Sequence, residues 1–267
     1  MSSVGRRRAG LIALFVILLA VGALALAAMA GGSDDTEPPP ATADGEALDD
    51  LPDELVADNT ESLEDQGAEQ RLAEDEAREA LAALATREPD DLRALGDPDA
   101  PVVMVQWADF LCPFCGVFAR DIESELVARY VDAGMMRIEW WDLPLQGEQA
   151  ILAALGGQAA AQQGAFWAYH ETLFAEDLRS DENRVDRDFL LAIAGELGMD
   201  TDAFAADLDD PALEQLAQTE AATGRSIGIS GTPAFIVGGY PLLGAQPLET
   251  FAQVIEAAAQ DAGVELP

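Results

Sequence analysis

The sequence predicts an α/β domain in which a βαβ unit precedes a helix-rich segment, a β-hairpin and a closing helix. Two apolar runs of strand length, 102–107 and 136–141, flank a segment whose apolar residues recur at helical spacing. The segment 148–227 has a helical pattern interrupted only by short turns, and 233–243 is typical of a hairpin. Because parallel strands need a crossover helix, these patterns favour an α/β fold with a helical insertion.

Residues 1–30 are predicted to target the chain to the cell membrane and to span it once. Three arginines at 6–8 precede an apolar run over 9–30, which has the length of about 20 residues that a spanning helix needs. Arginines before the run and acidic residues after it place the N-terminus in the cytoplasm and the rest of the chain outside. Ala28 and Ala30 also form a small-residue cleavage pattern, so a chain that is cut after Ala30 and secreted remains open.

Residues 31–86 are predicted to form an acidic linker that is helical in its second half. The stretch 31–60 is rich in Gly, Pro, Asp and Glu, and its low hydropathy and like charges favour an extended chain. The residues of 61–86 are good helix formers. Their thin apolar stripe contains Leu72, Leu81 and Leu84. The folded domain is then predicted to cover 87–267.

Within this domain the elements follow from apolar spacing and from turn residues. The helix after the first strand is predicted to end at Gly134. Its apolar face contains Phe118, Ile122, Leu126 and Tyr130. Further helices are predicted over 150–163, 166–174, 189–197, 201–208 and 211–227. The strands 233–237 and 240–243 meet at Gly238 and Gly239, and a last helix is predicted over 247–262.

The charge of the chain argues against one class of partner. The formal net charge is −36, from 50 acidic and 14 basic residues, and every basic residue is an arginine. A surface with this charge repels phosphate backbones. We therefore expect no nucleic-acid partner, and we interpret the acidic charge as a feature that keeps the protein soluble.

The cysteine content points to redox chemistry. The two cysteines, Cys112 and Cys115, are separated by two residues, and His170 is the one histidine. A disulfide scaffold needs more cysteines, and a tetrahedral zinc site needs four ligands where these residues supply three at most. The sequence predicts no metal and no cofactor other than a redox-active Cys112–Cys115 pair.

Cys112 is the predicted nucleophile of this pair. It follows a strand and opens a helix, where unpaired backbone N–H groups and the helix dipole favour a thiolate. Pro113 suits the first helical turn, because its missing N–H is not needed there. A disulfide attacked by Cys112 would form a mixed disulfide that Cys115 resolves. A static structural disulfide is the alternative interpretation of the same motif.

A second candidate element lies far along the chain, where Gly231, Thr232 and Pro233 precede a strand. A cis peptide bond before Pro233 would turn the chain sharply and leave a backbone edge for an extended peptide. An ordinary trans proline at the start of a strand is the alternative.

Four segments carry a family resemblance. In chain order they are GDPDAPV at 96–102, WADFLCPFC at 107–115, FWAYH at 166–170 and GISGTPAF at 228–235. With these segments, the region from about 87 to 260 resembles the DsbA-like family of thioredoxin-fold proteins. The resemblance implies a thioredoxin fold with a helical insertion, Cys112 as an exposed nucleophile, Cys115 as its buried partner, and Pro233 as a cis-proline packed against the pair.

The chain departs from the family pattern at two positions. Members often carry a buried acidic residue six positions before the first cysteine, where this chain has Gln106. In the family that acid relays a proton for the second cysteine, and an amide cannot accept a proton as a base. Asp109 is the nearest acid that could take this role. A solvated or N-capping carboxylate is the alternative interpretation of Asp109. Phe114 stands where strong oxidants of the family have histidine, which predicts a less oxidising pair, because phenylalanine cannot stabilise the thiolate by charge.

The remaining conspicuous side chains are predicted to be structural. His170 lies in an aromatic helical stretch and is expected to be a buried, hydrogen-bonded histidine. The tryptophans 107, 140 and 141 are assigned to the core or to the rim of a substrate groove. Phe114 is predicted to contribute an apolar surface for unfolded substrates, and Phe110 either the same surface or the core.

The resemblance implies a thiol–disulfide oxidoreductase that exchanges disulfides with exported proteins. It also implies a membrane redox partner that resets the cysteine pair. Two alternatives remain at this point, a reductase dedicated to a single envelope partner and an anchored binding module whose disulfide is purely structural.

Overall fold

The computed structural model describes residues 53–175 and 185–265, with side chains from residue 66 onward. The chain divides into two compact units, Met1–Ala77 and Arg78–Pro267. Helix α1 (Asp53–Ala82) begins in the first unit and ends in the second. It starts inside the stretch predicted to be an extended linker, so that boundary was wrong. Acidic residues in the first turn of a helix are favoured by its dipole, which offsets the charge repulsion on which the prediction relied.

The predicted membrane span over 9–30 and the first part of the linker lie outside the described residues. Among the helices that the structure does describe, none has both the length and the apolar character that crossing a bilayer requires.

The second unit is built on a five-stranded sheet with the order β1–β3–β2–β4–β5. Strands β2 and β3 are parallel, and every other neighbouring pair is antiparallel. The strands are β1 (Ala94–Leu95), β2 (Val102–Ala108), β3 (Met136–Asp142), β4 (Ala234–Val237) and β5 (Tyr240–Leu243). The β4–β5 turn uses Gly238 and Gly239, both with positive φ, a conformation that favours glycine in tight hairpins.

The crossover helix α2 joins β2 to β3 and contains two wide turns. It begins with Pro113–Phe118, widens to π-helical turns over Ala119–Glu123 and Val127–Val131, and has an α-helical turn over Ser124–Leu126 between them. The other helices are α3 (Glu148–Gln162), α4 (Phe166–Ala175), α5 (Arg187–Glu196), α6 (Thr201–Asp207), α7 (Pro211–Ser226) and α8 (Leu248–Asp261).

Helices cover both faces of the sheet. On one face α2 and α8 pack over alternate strand residues, with Phe118, Phe235 and Phe251 in mutual contact at ring-centroid distances of 4.6–5.2 Å. On the other face α7 packs over Trp107, and Leu81 and Leu84 pack against the same cluster. Two of the three leucines of the predicted stripe therefore rest on the domain, whereas Leu72 is 64% exposed.

The inserted helices α3–α6 enclose a third cluster beside the carboxyl ends of β2 and β3. Its centre is aromatic, with Phe110 stacked on Trp140 at 4.7 Å and Tyr169 edge-on to Phe110 at 5.3 Å. Both cysteines belong to this cluster. The insertion thus supplies the apolar surroundings of the cysteine pair.

A buried polar network fixes the end of β3. Arg93 pairs with Glu220 at 2.6 Å and with Asp142 at 3.4 Å. Asp142 also accepts hydrogen bonds from the side chains of Trp140 and Gln158, each at 2.8 Å. Because buried charges are stabilised only when they are paired and hydrogen-bonded, this network ties β3 firmly to α3 and α7.

The predicted α/β class, the helical insertion and the hairpin are confirmed, and the predicted helices and strands of the domain match the observed ones closely. The sequence analysis did not predict strand β1. A strand of two residues is too short to show an alternation of apolar and polar residues, and its pairing with β3 is a tertiary contact. The wide turns of α2 were also missed. Phe118, Ile122, Leu126 and Tyr130 are spaced by four residues and buried on one side, and an α-helix advancing about 100° per residue would rotate them apart.

We expect Gly157→Ala to lower the free energy of unfolding by about 1–3 kcal/mol, the usual cost of overpacking a core. A Cβ atom at Gly157 would lie 2.9 Å from Phe110 Cε2 and 3.3 Å from Phe166 Cε2, and both rings are buried. Urea unfolding followed by tryptophan fluorescence measures the change.

The matched control is Gly195→Ala. There a Cβ atom would meet only Thr201 Cγ2, at 3.7 Å, and the gain in helix propensity makes the substitution neutral or stabilising by up to about 1 kcal/mol. Equal effects of the two substitutions would contradict the packing described for the third cluster.

Candidate active site

Cys112 lies at the junction of β2 and α2. It is the N-cap residue of α2, with extended backbone angles and no side-chain capping hydrogen bond, and Pro113 occupies the first turn. Its Sγ donates a hydrogen bond to the carbonyl oxygen of Thr232 at 3.2 Å. Both cysteines are free thiols. The sulfur of Cys112 therefore faces open backbone N–H groups, the position predicted for it.

The surroundings of Cys112 favour its thiolate. The pKa of Cys112 is lowered to about 5. The thiol form donates to the carbonyl oxygen of Thr232, whereas the thiolate accepts hydrogen bonds from the Cys115 thiol, from the side chain of Thr232 and from the backbone N–H groups of Cys115 and Phe114, which together outweigh partial burial. A thiol with this pKa is almost fully ionised near neutral pH. The charge is stabilised by short hydrogen bonds rather than by a neighbouring cation.

Cys115 has the opposite character. Its side chain is completely buried, and burial raises its pKa well above the usual value, with the hydrogen bond to Cys112 and the charge of that thiolate acting in the same direction. At neutral pH it is a neutral thiol that donates to Cys112. Cys112 is thus ionised and able to act as a nucleophile, whereas Cys115 stays protonated.

Cys112 is less accessible than the family resemblance implies. It retains 5% of its exposed surface, compared with 0% for Cys115. Its side chain packs in the third cluster, and its Sγ contacts the carbonyl oxygen of Thr232. Little of the surface of Cys112 is therefore open to reagents.

Pro233 begins the segment that faces the cysteines. The Thr232–Pro233 peptide bond is cis, as the resemblance implies, and Pro233 is buried. Strand β4 follows directly and pairs with β2, with Ala234 opposite Trp107. This pairing brings Thr232 beside Cys112 although 120 residues separate them.

Gln106 is completely buried in β2, and neither polar atom of its side-chain amide has a hydrogen-bond partner in the described part of the chain. Strand alternation places Gln106 on the same side as Ala108, which belongs to the cluster of the two cysteines. An amide at this position cannot act as a base.

Asp109 is neither solvated nor a helix cap, so both of those interpretations were wrong. It is 2% exposed. One carboxylate oxygen accepts from Leu111 N at 2.8 Å, and the other accepts from Leu145 N at 2.7 Å and Gln146 N at 3.0 Å. Burial raises the pKa of Asp109, and these three N–H groups oppose the rise. Asp109 therefore fastens the loop after β3 to the segment that leads into Cys112.

The two phenylalanines near the cysteines have different roles. Phe110 is buried against Trp140 in the third cluster, whereas Phe114 is 64% exposed beside Cys112. Val117 and Leu145 are also partly exposed, at 37% and 40%. Phe114 is exposed, and its role as an apolar surface for substrates stays a prediction; Phe110 packs in the core.

The tryptophan predictions hold, but the prediction for His170 holds only in part. Trp107 and Trp140 are completely buried. His170 is 1% exposed and is surrounded by aromatic rings, yet neither ring nitrogen has a hydrogen-bond partner among the described residues. The expected hydrogen bond is therefore wrong. Sequence reasoning also missed Glu123, whose Oε2 lies 3.5 Å from His170 Nε2, since nothing in the sequence pairs these two helices.

The described residues offer no group of three or more His, Cys, Asp or Glu side chains that could hold a metal ion. The chemistry that this site supports is that of its two thiols.

Comparisons with known proteins agree with the fold. A family model described as Thioredoxin matches residues 88–257. The Na(+)/H(+) antiporter NhaA of Herminiimonas arsenicoxydans is 33% identical over 162 residues, which are 61% of this chain and 25% of the antiporter. The probable disulfide bond formation protein D of Bacillus cereus is 26% identical over 151 residues, which are 55% of this chain and 70% of that protein. The chain thus spans about a quarter of the length of the antiporter.

Two solved structures share the fold. Oxidised BdbD from Bacillus subtilis superposes with a TM-score of 0.60 at 22% identity and covers 65% of this chain and 95% of its own. Wolbachia pipientis alpha-DsbA1 superposes with a TM-score of 0.58 at 23% identity and covers 64% of this chain and 92% of its own. The family match over residues 88–257 shows that the chain belongs to the thioredoxin family, and these two structures share its fold.

Proposed function

We propose that this protein is a thiol–disulfide oxidoreductase whose working groups are Cys112 and Cys115. The observation that carries the proposal is the split between the two thiols. The pKa of Cys112 is lowered to about 5, and that of the fully buried Cys115 is raised. Thiol–disulfide exchange requires one thiolate that attacks and a second thiol that resolves the mixed disulfide.

In the reducing direction, the Cys112 thiolate attacks one sulfur of a substrate disulfide. The substrate S–S bond breaks, a bond between Cys112 and the substrate forms, and the released substrate thiolate takes a proton. Cys115 then loses its proton and attacks the Cys112 sulfur, which frees the second substrate thiol. The substrate gains two electrons and two protons, and the protein is left with a Cys112–Cys115 disulfide. The oxidising direction is the reverse.

The low pKa of Cys112 favours the oxidising direction. A stabilised Cys112 thiolate is a good leaving group, so the disulfide form of the pair passes its bond readily to a substrate. Reactive cysteines in such surroundings span pKa values from about 3.5 to about 7.5. A value of about 5 lies inside this range, which supports a moderate oxidant, as the absence of histidine at position 114 suggests.

Cys115 must lose a proton during resolution, and Gln106 cannot accept it. The side-chain amide of Gln106 is neutral at every pH of interest. Asp109 is buried, and its oxygens are occupied by three backbone N–H groups. Deprotonation of Cys115 by the departing substrate thiolate or by solvent fits this arrangement best.

We further propose that the substrates are exported proteins and that the domain works outside the cytoplasm. The apolar run over 9–30 would hold it at the cell membrane, and the acidic linker would separate it from the bilayer. The exposed side chain of Phe114 beside Cys112 suits the apolar segments of unfolded chains. A membrane redox partner would restore the disulfide after each turnover. The similarity to a probable disulfide bond formation protein supports this assignment.

A pH titration of the full-length reduced protein tests the state of Cys112. The ultraviolet absorbance of the thiolate is expected to rise with a midpoint near pH 5, because the anion accepts several hydrogen bonds. A Cys112→Ser variant should lose this transition. A midpoint near the value for free cysteine, about 8.5, would refute the proposed activation.

Substitution of each cysteine by alanine is expected to have a different effect on disulfide exchange. Cys112→Ala should abolish turnover in an insulin-reduction assay, whereas Cys115→Ala should accumulate mixed disulfides with substrate, since it can attack but cannot resolve. Non-reducing gel electrophoresis detects these adducts. Trapping by Cys112→Ala instead of Cys115→Ala would reverse the assigned roles.

Phe114→His is expected to make the pair more oxidising. A protonated imidazole beside Cys112 would lower the pKa of that thiol by about one unit, and the fraction protonated increases below about pH 6.5. The reduction potential, measured against glutathione, should rise by about 30 mV for each 1.4 kcal/mol of thiolate stabilisation. Phe114→Asn is the control, because it is polar but carries no charge. An equal rise in both variants would show that loss of the phenylalanine, not charge, is responsible.

A further inference from the structure

A groove of about 510 Å³ lies between helices α2 and α4. Its lining includes neither cysteine, nor Thr232 or Pro233, although Phe174 also belongs to the third cluster. It is lined by residues of both wide turns of α2, among them Glu123 and Val127, and by residues of α4 such as Trp167 and His170. Wide turns of this kind occur frequently at functional sites. The volume falls in the range of small-molecule sites, about 300–1,000 Å³.

Two buried polar side chains border the groove without hydrogen-bond partners among the described residues. Glu123 is 7% exposed and His170 is 1% exposed. Glu123 Oε1 and both ring nitrogens of His170 make no hydrogen bond, and Glu123 Oε2 lies 3.5 Å from His170 Nε2. Leaving a buried polar atom unpaired is unfavourable, because the atom has lost its hydrogen bonds to water. A ligand that pairs with these atoms would recover that cost.

The walls and the rim define what such a ligand must be. Trp167 and Phe174 supply aromatic walls, and Leu95 and Val127 supply aliphatic ones. The charged residues at the groove, in addition to Glu123, are Arg120 and Asp132 of α2 and Glu171 of α4. Arg120 Nη1 donates to the carbonyl oxygen of Phe174 at 2.7 Å. The carboxylates of Asp132 and Glu171 outnumber the one guanidinium, which is engaged with a backbone carbonyl, so the groove is unfavourable for an anion.

A bound cation would stabilise the charged form of Glu123, which burial disfavours in the empty groove. Burial raises the pKa of Glu123 to about 8, and the charge of Glu171 adds to the rise. Burial lowers the pKa of His170 to about 3, so its imidazole is neutral and offers a hydrogen-bond acceptor. A primary ammonium has three donors and no acceptor, which suits a carboxylate and an imidazole side by side, and aromatic faces attract cations. A metal ion fits less well, because the described residues form no group of three ligands.

We propose that the groove between α2 and α4 binds a primary ammonium group carried on an apolar stem, with Glu123 and His170 as its acceptors. Small amines and the lysine side chains of other proteins share this chemistry. The chain cannot supply a lysine of its own, because all 14 of its basic residues are arginines. The proposal does not depend on the redox activity of the cysteines.

Binding should release a proton below about pH 8. In the empty groove Glu123 is largely protonated below that pH, whereas a bound ammonium favours the carboxylate. The affinity for the amine should therefore weaken up to about tenfold for each pH unit below the pKa of Glu123.

Isothermal titration calorimetry of the full-length protein with benzylamine and with benzyl alcohol tests the proposal. The two probes have the same ring and nearly the same shape, but only the amine carries a charge. We expect benzylamine to bind at about millimolar concentration or below and benzyl alcohol to bind at least about tenfold more weakly. Titrations in two buffers with different ionisation enthalpies should reveal the released proton.

Glu123→Gln should remove the preference for the amine while leaving the fold intact, since a buried neutral carboxyl and an amide are similar in shape and charge. Glu125→Gln is the matched control. Glu125 lies two residues away on α2, is exposed and pairs with Arg129, so the affinity of this variant for benzylamine should equal that of the unaltered protein. Circular dichroism verifies that both variants are folded.

Nα-acetyl-lysine methylamide distinguishes the sources of the ammonium. Binding of this probe as well as benzylamine would include lysine side chains among the ligands, and binding of benzylamine alone would restrict the groove to small amines. Equal affinities for benzylamine and benzyl alcohol, no binding of either amine at millimolar concentration, or amine binding unchanged in Glu123→Gln would each overturn the proposal.

Discussion

The sulfur of Cys112 is held at the first turn of α2, and the chemistry of the protein depends on the hydrogen bonds that it receives there. Cys112 follows strand β2. Pro113 begins the helix, where its missing backbone N–H is not needed for a helical hydrogen bond. Cys115 sits one turn later, close enough to donate a hydrogen bond to the first sulfur. These short contacts stabilise a negative charge within a chain whose net charge is −36, since hydrogen bonds act locally while salt screens distant charges.

The surroundings of the pair combine one satisfied and one unsatisfied polar side chain. Asp109 accepts three backbone hydrogen bonds and thereby joins the loop after β3 to the segment that carries Cys112. Gln106 lies buried in β2, and both of its amide atoms lack a partner among the described residues, at a cost that buried polar groups seldom bear without a functional reason. The site is therefore rigid around its nucleophile and lacks a titratable base in β2.

The inserted helices have two effects on this architecture. They enclose the aromatic cluster of Phe110, Trp140 and Tyr169, which excludes water from the buried side of the cysteine pair. They also place α4 against α2, and this contact creates the groove that contains Glu123 and His170. One helix, α2, thus carries the cysteine pair at its first turn and lines a separate polar groove along its wide turns.

Much of the fold and the centre of the site followed from local features of the sequence. The period of the apolar residues determined the strands β2 and β3 and most helices, and the spacing of Cys112 and Cys115 at a strand–helix junction determined the chemistry, because both signals lie within a few consecutive residues. The tertiary structure alone decided that Asp109 is buried, that Thr232 meets Cys112 across 120 residues, and that Glu123 lies beside His170. The physical reason is that burial and hydrogen bonding of these groups are set by elements distant in the chain, and no local pattern records which elements will meet.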